Sequence, residues 1–487
     1  MPFERDEGEY AYSAWLLNRG VMPYQNSFLQ KPPMIIYTYA FGQLFDEAGI
    51  VSPRVLAAIF SLASIFLVAI IAKKELGVRA GWVCAFLLTP MLVLPYNAAF
   101  SANTEHFMLT PLLGVLAIFF YKKGQEKPIH FFLAGVLAAL SILYKPFPIY
   151  LLTFLFIVWF ILYFQKEKNL LKLLKVVLAV ILGGGLTTLL VLLPFIVKGA
   201  IGFLIESAFT YNRYYIQFIG FSPQAFITHN LKMFRVYWPF LVLIAYYLFK
   251  RPKNWWLYTS FLAIAVISIY QSWINHYYIF IMPFMALIAG YSISLIGKNH
   301  IVKKYFKSQP EYVICGFILL LIIFPFREQF FKTPQEMSLY IYGTVDPFYE
   351  APLVAQQVIK LTGAGDKVFI AGSEPEILFY AKRQSTGRFM ITYPLNITTS
   401  LREKYQTEAV DALKSDLPKV VVYSTREHSG LWNEGSPRIF IDYLNQLLKD
   451  KYKLQGAYIW RNNKGYWVDN VDKNNILEAS YLVYLKK

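Results

Sequence analysis

Long apolar runs broken by short basic loops fill the first two-thirds of the chain, and this pattern stops near Phe326. Stretches such as Arg54 to Ala72, Leu174 to Val197, Tyr277 to Ile296 and Tyr312 to Pro325 approach the roughly 20 apolar residues with which a helix crosses a bilayer. One such run is compatible with a buried core helix; a series is not. Counted along the chain they predict about ten membrane segments. Beyond Phe326 the apolar runs shorten and charges become frequent. There the alternation predicts a helix over Ala351 to Leu361, a strand at KVFIAG, a helix through EPEILFYAK and a strand at RFMITY. A helix over SLREKYQTEAVDALK, a strand at KVVVYST, a helix over PRIFIDYLNQLLKDKY and strands near YIW, GYWV and SYLVYL follow. The expected architecture is an α-helical polytopic membrane domain over 1–326 followed by a soluble α/β domain over 327–487 with an open sheet.

Composition supports the first part of that picture: of 487 residues, 56% are hydrophobic and 18% aromatic, more than soluble proteins carry. The net charge of +17 would suit nucleic acid, but the cations gather in short loops between apolar segments. AKKELGVR, YKKGQEKP, QKEKNLLKLLK, FKRPKNWW and GKNHIVKKYFKSQP fall on one side if the segments alternate, and the positive-inside rule makes that side cytoplasmic. The charge is therefore read as orientation, with no nucleic-acid partner. The opposite face receives the first fifty residues, NAAFSANTE, YKPFP, the stretch from Lys198 to Arg235, QSWINHY and everything after Phe326. A multi-pass protein of the plasma (inner) membrane is expected, with both termini non-cytoplasmic. No cleavable signal precedes ERDEGEYAY, and a further helix upstream would explain the placement of the amino terminus. Cys84 and Cys315 both lie in membrane segments, so neither a disulfide framework nor a zinc cluster is indicated. GSEPE follows a predicted strand but lacks GxGxxG and a Walker lysine, which favours a turn and helix cap over a nucleotide site.

The candidate chemistry lies in the outer loops. ERDEGEYAY holds four acids in six positions; as a helix lying on the membrane surface it puts Asp6, Glu9, Tyr10 and Ser13 on one face. Acids at a helix start also gain from the dipole, so a purely structural reading stands beside a chemical one. FLQKPPMIIY sets Lys31 before two prolines and a second helix, with lipid headgroups as its plain alternative partner. In NAAFSANTEHF, Asn103 and Glu105 precede an apolar helix, where capping by Asn103 or Thr104 is the plain alternative. LYKPFP leaves Lys145 on the side poor in cations, where an anion would account for it. His276 and Tyr277 of NHYYIF stand at an outer boundary, and YNRYYIQF, with Arg213, suits either a gate over a sugar or lipid groove or an aromatic belt.

The order of DExxY, KPP, an outer loop with T-E before an apolar helix, a lysine-proline turn, and HYY before a membrane helix resembles glycosyltransferase family 39 of the GT-C superfamily. That family includes protein O-mannosyltransferases and the aminoarabinose transferase acting on lipid A. The likeness covers the membrane part well and the soluble part loosely; the family's first membrane helix has no counterpart, and Gln30 stands where some members carry an acid. The resemblance implies transfer of a sugar from a polyprenyl-phosphate donor to a lipid, protein or glycan acceptor among membrane lipids. Asp6, with Glu7 beside it, would be the base, Glu105 the second-loop acid, Lys31, Lys145 and Arg213 the phosphate contacts, and Tyr10, Asn103, His276 and Tyr277 the substrate contacts. Asp6, Glu7 and Glu105 also offer oxygen ligands for magnesium or manganese; the lysines could neutralise the phosphate without an ion. A multi-pass transporter of envelope precursors and a non-catalytic envelope assembly factor are the rival functions. Transporters, however, concentrate polar groups near the bilayer midplane.

Overall fold

A computed structural model of the chain describes every residue except 48, 96–99, 221, 270–273, 307–308, 344–347, 398, 462–463 and 470. The chain forms two compact units. One gathers Met1–Pro53, Pro194–Gly220 and Lys332–Lys487; the other consists of Arg54–Leu193 and Phe221–Phe331.

The second unit is helical. Among the described residues, six helices are long and apolar enough to cross a membrane: Val51–Leu76, Thr104–Lys122, Pro148–Glu167, Leu170–Val197, Pro223–Lys250 and Pro310–Phe331, the last including a 3₁₀ end. Four shorter apolar helices, Val78–Met91, Pro128–Tyr144, Trp255–Ser268 and Met282–Gly297, accompany them. The helix Leu170–Val197 exposes Leu178, Ile181, Leu182, Leu186, Leu189 and Leu190, a surface suited to lipid and costly in water. Where lipid removes the hydrophobic drive between helices, small residues let backbones touch. Gly135 and Gly183 show this, since a methyl at either would run into the carbonyl of Val180 or Phe132 respectively.

The first unit carries a five-stranded mixed sheet: β1 (Val368–Ala371), β2 (Val420–Ser424), β3 (Tyr452–Arg461), β4 (Lys464–Val468) and β5 (Ala479–Lys486), in the order β1-β2-β5-β3-β4. Among the described strands only β1 and β2 pair in parallel, with Val368 opposite Val420. Their runs VFIA and VVVYS are almost wholly buried, as strands covered on both faces require. The remaining pairs are antiparallel, so the sheet is less uniformly α/β than the alternation implied. RFMITY is not a strand. Its backbone groups are taken by other partners: the Arg388 carbonyl accepts from the Phe28 amide at 2.7 Å, and the Thr392 amide donates to the Gly372 carbonyl at 2.9 Å.

The amino-terminal helix Arg5–Asn18 departs from the open surface helix expected of it. Every residue from Glu7 to Leu16 is buried, and the helix packs on Met34–Gln43 and Pro375–Ala381. Arg5 donates from Nε to the Ser373 carbonyl at 2.7 Å and lies over the Tyr393 ring. The Ser385 amide donates to the Tyr12 hydroxyl at 2.8 Å. Gly8 makes the approach feasible, because a Cβ there would stand 2.7 Å from the Glu376 amide nitrogen. That neighbour is backbone, so it cannot swing aside. Gly8→Ala is expected to destabilise this unit by about 1–3 kcal/mol, read as a lower midpoint in thermal unfolding of the detergent-solubilised chain.

Candidate functional site

The sequence-predicted residues other than Arg213 fall into two clusters, one in each unit. In the first unit, Asp6 sits in the first turn of Arg5–Asn18, where a carboxylate meets the positive helix end. Lys31 Nζ lies 3.9 Å from Asp6 Oδ2, and the Tyr10 hydroxyl, one turn along, donates to the same oxygen at 3.4 Å. Glu7 is fully buried and accepts from the Glu4 amide at 3.3 Å, which gives it a helix-start role. Arg213 is exposed and makes no ion pair among the described residues. Its neighbour Tyr211 is core, packed edge-on against Phe28, so YNRYYIQF is at least partly anchored inside the unit.

Glu9 belongs to this neighbourhood and had no role assigned from sequence, although it shares a helix face with Asp6. Burial, with Asp6 adding to it, pushes its carboxyl up from 4.5 to about 8, against the opposing pull of Lys31 and Arg5. Its spacing from Asp6 was the legible signal; that Glu9 would be removed from water was not.

In the second unit, Glu105 opens the helix Thr104–Lys122 and Lys145 closes the helix Pro128–Tyr144. Each charge therefore sits at the helix end that favours it. Pro146 disfavours a helical residue before it, and Lys145 is accordingly extended, with φ −158° and ψ 140°. Its ammonium meets Glu105 Oε1 at 2.5 Å, the side chains being 5% and 0% exposed. The Thr104 hydroxyl donates to Glu105 Oε2 at 3.1 Å. Aromatic faces complete the enclosure: Lys145 Nζ is 3.4 Å from the centroid of Tyr277 and 4.7 Å from that of Phe147. His276, also buried, packs its ring against Tyr277 at 5.0 Å. Asn103 occupies the N-cap position, yet its side chain makes no cap hydrogen bond, and both amide atoms are buried without a hydrogen-bond partner among the described residues. A buried amide left so is costly, and a ligand hydroxyl would relieve it.

The GSEPE turn holds its own chain. Glu374 accepts from Ser424 at 3.2 Å and from Ser429 at 3.0 Å, and Arg5 reaches the Ser373 carbonyl. Structural turn chemistry thus accounts for this turn. As for an ion, Asp6 stands against Lys31 while both oxygens of Glu105 have partners. Among the described residues no three His, Cys, Asp or Glu side chains form a metal-ligand group. These carboxylates, as arranged, are set against cations of the protein.

With this geometry in hand, the likenesses to known proteins are informative. The family model described as dolichyl-phosphate-mannose-protein mannosyltransferase matches residues 30–198, a span that includes Lys31, Asn103, Glu105 and Lys145. No curated protein matches the sequence. ArnT from Cupriavidus metallidurans is similar in structure: its form bound to undecaprenyl phosphate has a TM-score of 0.57 at 14% identity, covering 96% of this chain and 94% of that one. The apo form gives 0.54 at 15% identity, covering 96% and 93%. An Archaeoglobus fulgidus oligosaccharyltransferase tethered to an acceptor peptide containing the NVT sequon gives 0.54 at 12% identity, covering 96% of this chain and 70% of that one. The chain shares the fold of ArnT and of this oligosaccharyltransferase. The chain is an integral membrane protein.

Two outcomes follow from the charges. Lys145→Met strands the Glu105 carboxylate and is expected to cost about 3–5 kcal/mol, whereas Glu105→Gln/Lys145→Met, with both charges gone, recovers most of the thermal stability. Glu9 predicts a pH effect. A carboxyl whose folded-state pKa lies above its unfolded value keeps its proton in the fold after the unfolded chain has lost it. Its contribution is complete below 4.5 and is lost as the pH climbs to about 8. Glu350, raised to about 7 by burial, acts in the same direction. Glu9→Gln should therefore melt higher than the parent at pH 8, with the difference closing near pH 4 and a residual slope left by Glu350.

Proposed function

We propose that the protein is a membrane glycosyltransferase. It transfers a sugar from a polyprenyl-phosphate carrier to a hydroxyl of a lipid, protein or glycan acceptor at the non-cytoplasmic face, inverting the anomeric carbon. The observation that carries this reading is the matching of motif acids with motif lysines, Asp6 with Lys31 and Glu105 with Lys145, in a fold shared with an ArnT that binds undecaprenyl phosphate.

Asp6 takes the proton of the acceptor hydroxyl as its oxygen attacks the anomeric carbon, and the Tyr10 hydroxyl orients the carboxylate. The bond from that carbon to the phosphate oxygen breaks, and the lipid phosphate leaves with the electron pair and one more negative charge. Lys31 and Lys145 meet that charge; Arg213, exposed, is an outlying third contact. Glu105 and the Tyr277 ring hold the Lys145 ammonium. Asn103 and His276 contact the sugar, and Glu7 secures the helix that bears the base.

Purified protein in lipid, supplied with radiolabelled polyprenyl-phosphate sugars and candidate acceptors, tests this. Asp6→Asn is expected to lower turnover by about 100-fold or more with folding intact; unchanged transfer would remove Asp6 from the base role. Lys31→Ala should weaken donor binding. Turnover is expected to survive thorough chelation; activity lost to a chelator and restored by magnesium or manganese would recast Asp6 and Glu105 as ion ligands.

A further inference from the structure

The loop that delivers Lys31 is held at several points, all within the first unit. Tyr24 is fully buried, and its backbone is left-handed, with φ +65°, a conformation that costs a bulky residue on the order of 1 kcal/mol. Such strain persists where surroundings over-determine it. Here the Tyr24 ring meets Phe195 edge-on at 5.4 Å, and its hydroxyl donates to the Lys31 carbonyl at 2.7 Å. One residue earlier, Asn212 Nδ2 donates to the Gln30 carbonyl at 2.6 Å and to the Ala208 carbonyl at 2.8 Å. The Phe28 amide is held by the Arg388 carbonyl at 2.7 Å, and Ser27 Oγ lies 2.9 Å from Ser13 Oγ on the helix that carries Asp6.

Asn212 is itself anchored. It follows a π-helical turn, Glu206–Thr210, a rare geometry that recurs at functional sites. Glu206 in that turn accepts from the buried Arg388 at 2.6 Å, and Arg388 also binds Glu408. Pro32 and Pro33 stiffen the chain on the far side of Lys31. A flexible lysine tail gains precision only from a fixed Cα, and two carbonyls flanking that Cα, those of Gln30 and Lys31, are each gripped by a side chain remote in sequence.

We infer that Tyr24 and Asn212 are positioning residues, fixing the Lys31 backbone so that its ammonium is set for an anionic phosphate of the donor. This rests on the reading of Lys31 as a donor-phosphate contact. Binding of undecaprenyl phosphate to the full chain in lipid nanodiscs tests both, using Tyr24→Phe, Asn212→Ala, Lys31→Ala and Tyr24→Phe/Lys31→Ala, each checked for folding by thermal unfolding. Tyr24→Phe and Asn212→Ala should each weaken binding about 3- to 10-fold. Lys31→Ala should weaken it at least as much, and adding Tyr24→Phe to Lys31→Ala should change nothing further. Undiminished binding by Tyr24→Phe and Asn212→Ala, beside a weakened Lys31→Ala, overturns the inference and leaves the Lys31 reading standing. Equal weakening by Tyr24→Phe with and without Lys31 gives Tyr24 a general structural role and also overturns it. Unaltered binding by Lys31→Ala overturns both.

Discussion

Removing a charge from water is expensive unless an opposite charge and hydrogen bonds meet it at once, and this constraint organises both units. Glu105 is enclosed with Lys145 at 2.5 Å, and the ammonium is further covered by the face of Tyr277. Arg388, 3% exposed, is met by Glu206 and Glu408 and surrounded by the rings of Phe28, Phe389 and Tyr405. Asp6 and Lys31 are only partly enclosed, at 22% and 14%, and lie 3.9 Å apart. Arg388 with its two glutamates is a structural fixture, while the looser pair of Asp6 and Lys31 keeps room for something else to approach.

That contrast has a chemical use. A base and a phosphate contact must remain able to exchange partners during a reaction, so a short, fully formed ion pair between them would oppose turnover. Asp6 and Lys31 avoid it by geometry, each being secured through its backbone. The acid rides on a helix enclosed over Glu7 to Leu16, and the lysine on a loop whose carbonyls are held by Tyr24 and Asn212. Rigidity in the supporting backbone and freedom at the charged tips is the arrangement expected where electrostatic preorganisation matters.

Some of this was legible in the residues. The apolar runs gave the membrane helices because lipid demands a continuous apolar length, a requirement that acts locally and leaves a mark at every position. Glu105 and Lys145 stood out because charges are rare beside such runs. KVFIAG and KVVVYST announced buried strands through consecutive β-branched residues. RFMITY announced the same and is irregular, because its backbone is bonded to Phe28 and Gly372, hundreds of residues away in the first case. The Arg5–Asn18 helix carried an acidic face that suggested a wet surface; its burial depends on Gly8 meeting Glu376, which no local pattern records. Nor did anything near Asn103 reveal that its side chain would forgo the cap it is suited to make.

By itself the sequence determined which segments are helical and apolar, where the loops rich in cations fall, and which acids and lysines stand out of place, since each follows from periodicity or solvent preference over a few neighbouring residues. Tertiary structure alone decided which charge meets which, that residues 194–220 join the sheet-bearing unit, and that Glu9 holds its proton towards neutral pH. Those outcomes depend on desolvation and on distances between groups far apart in the chain, quantities that exist only once the chain has folded.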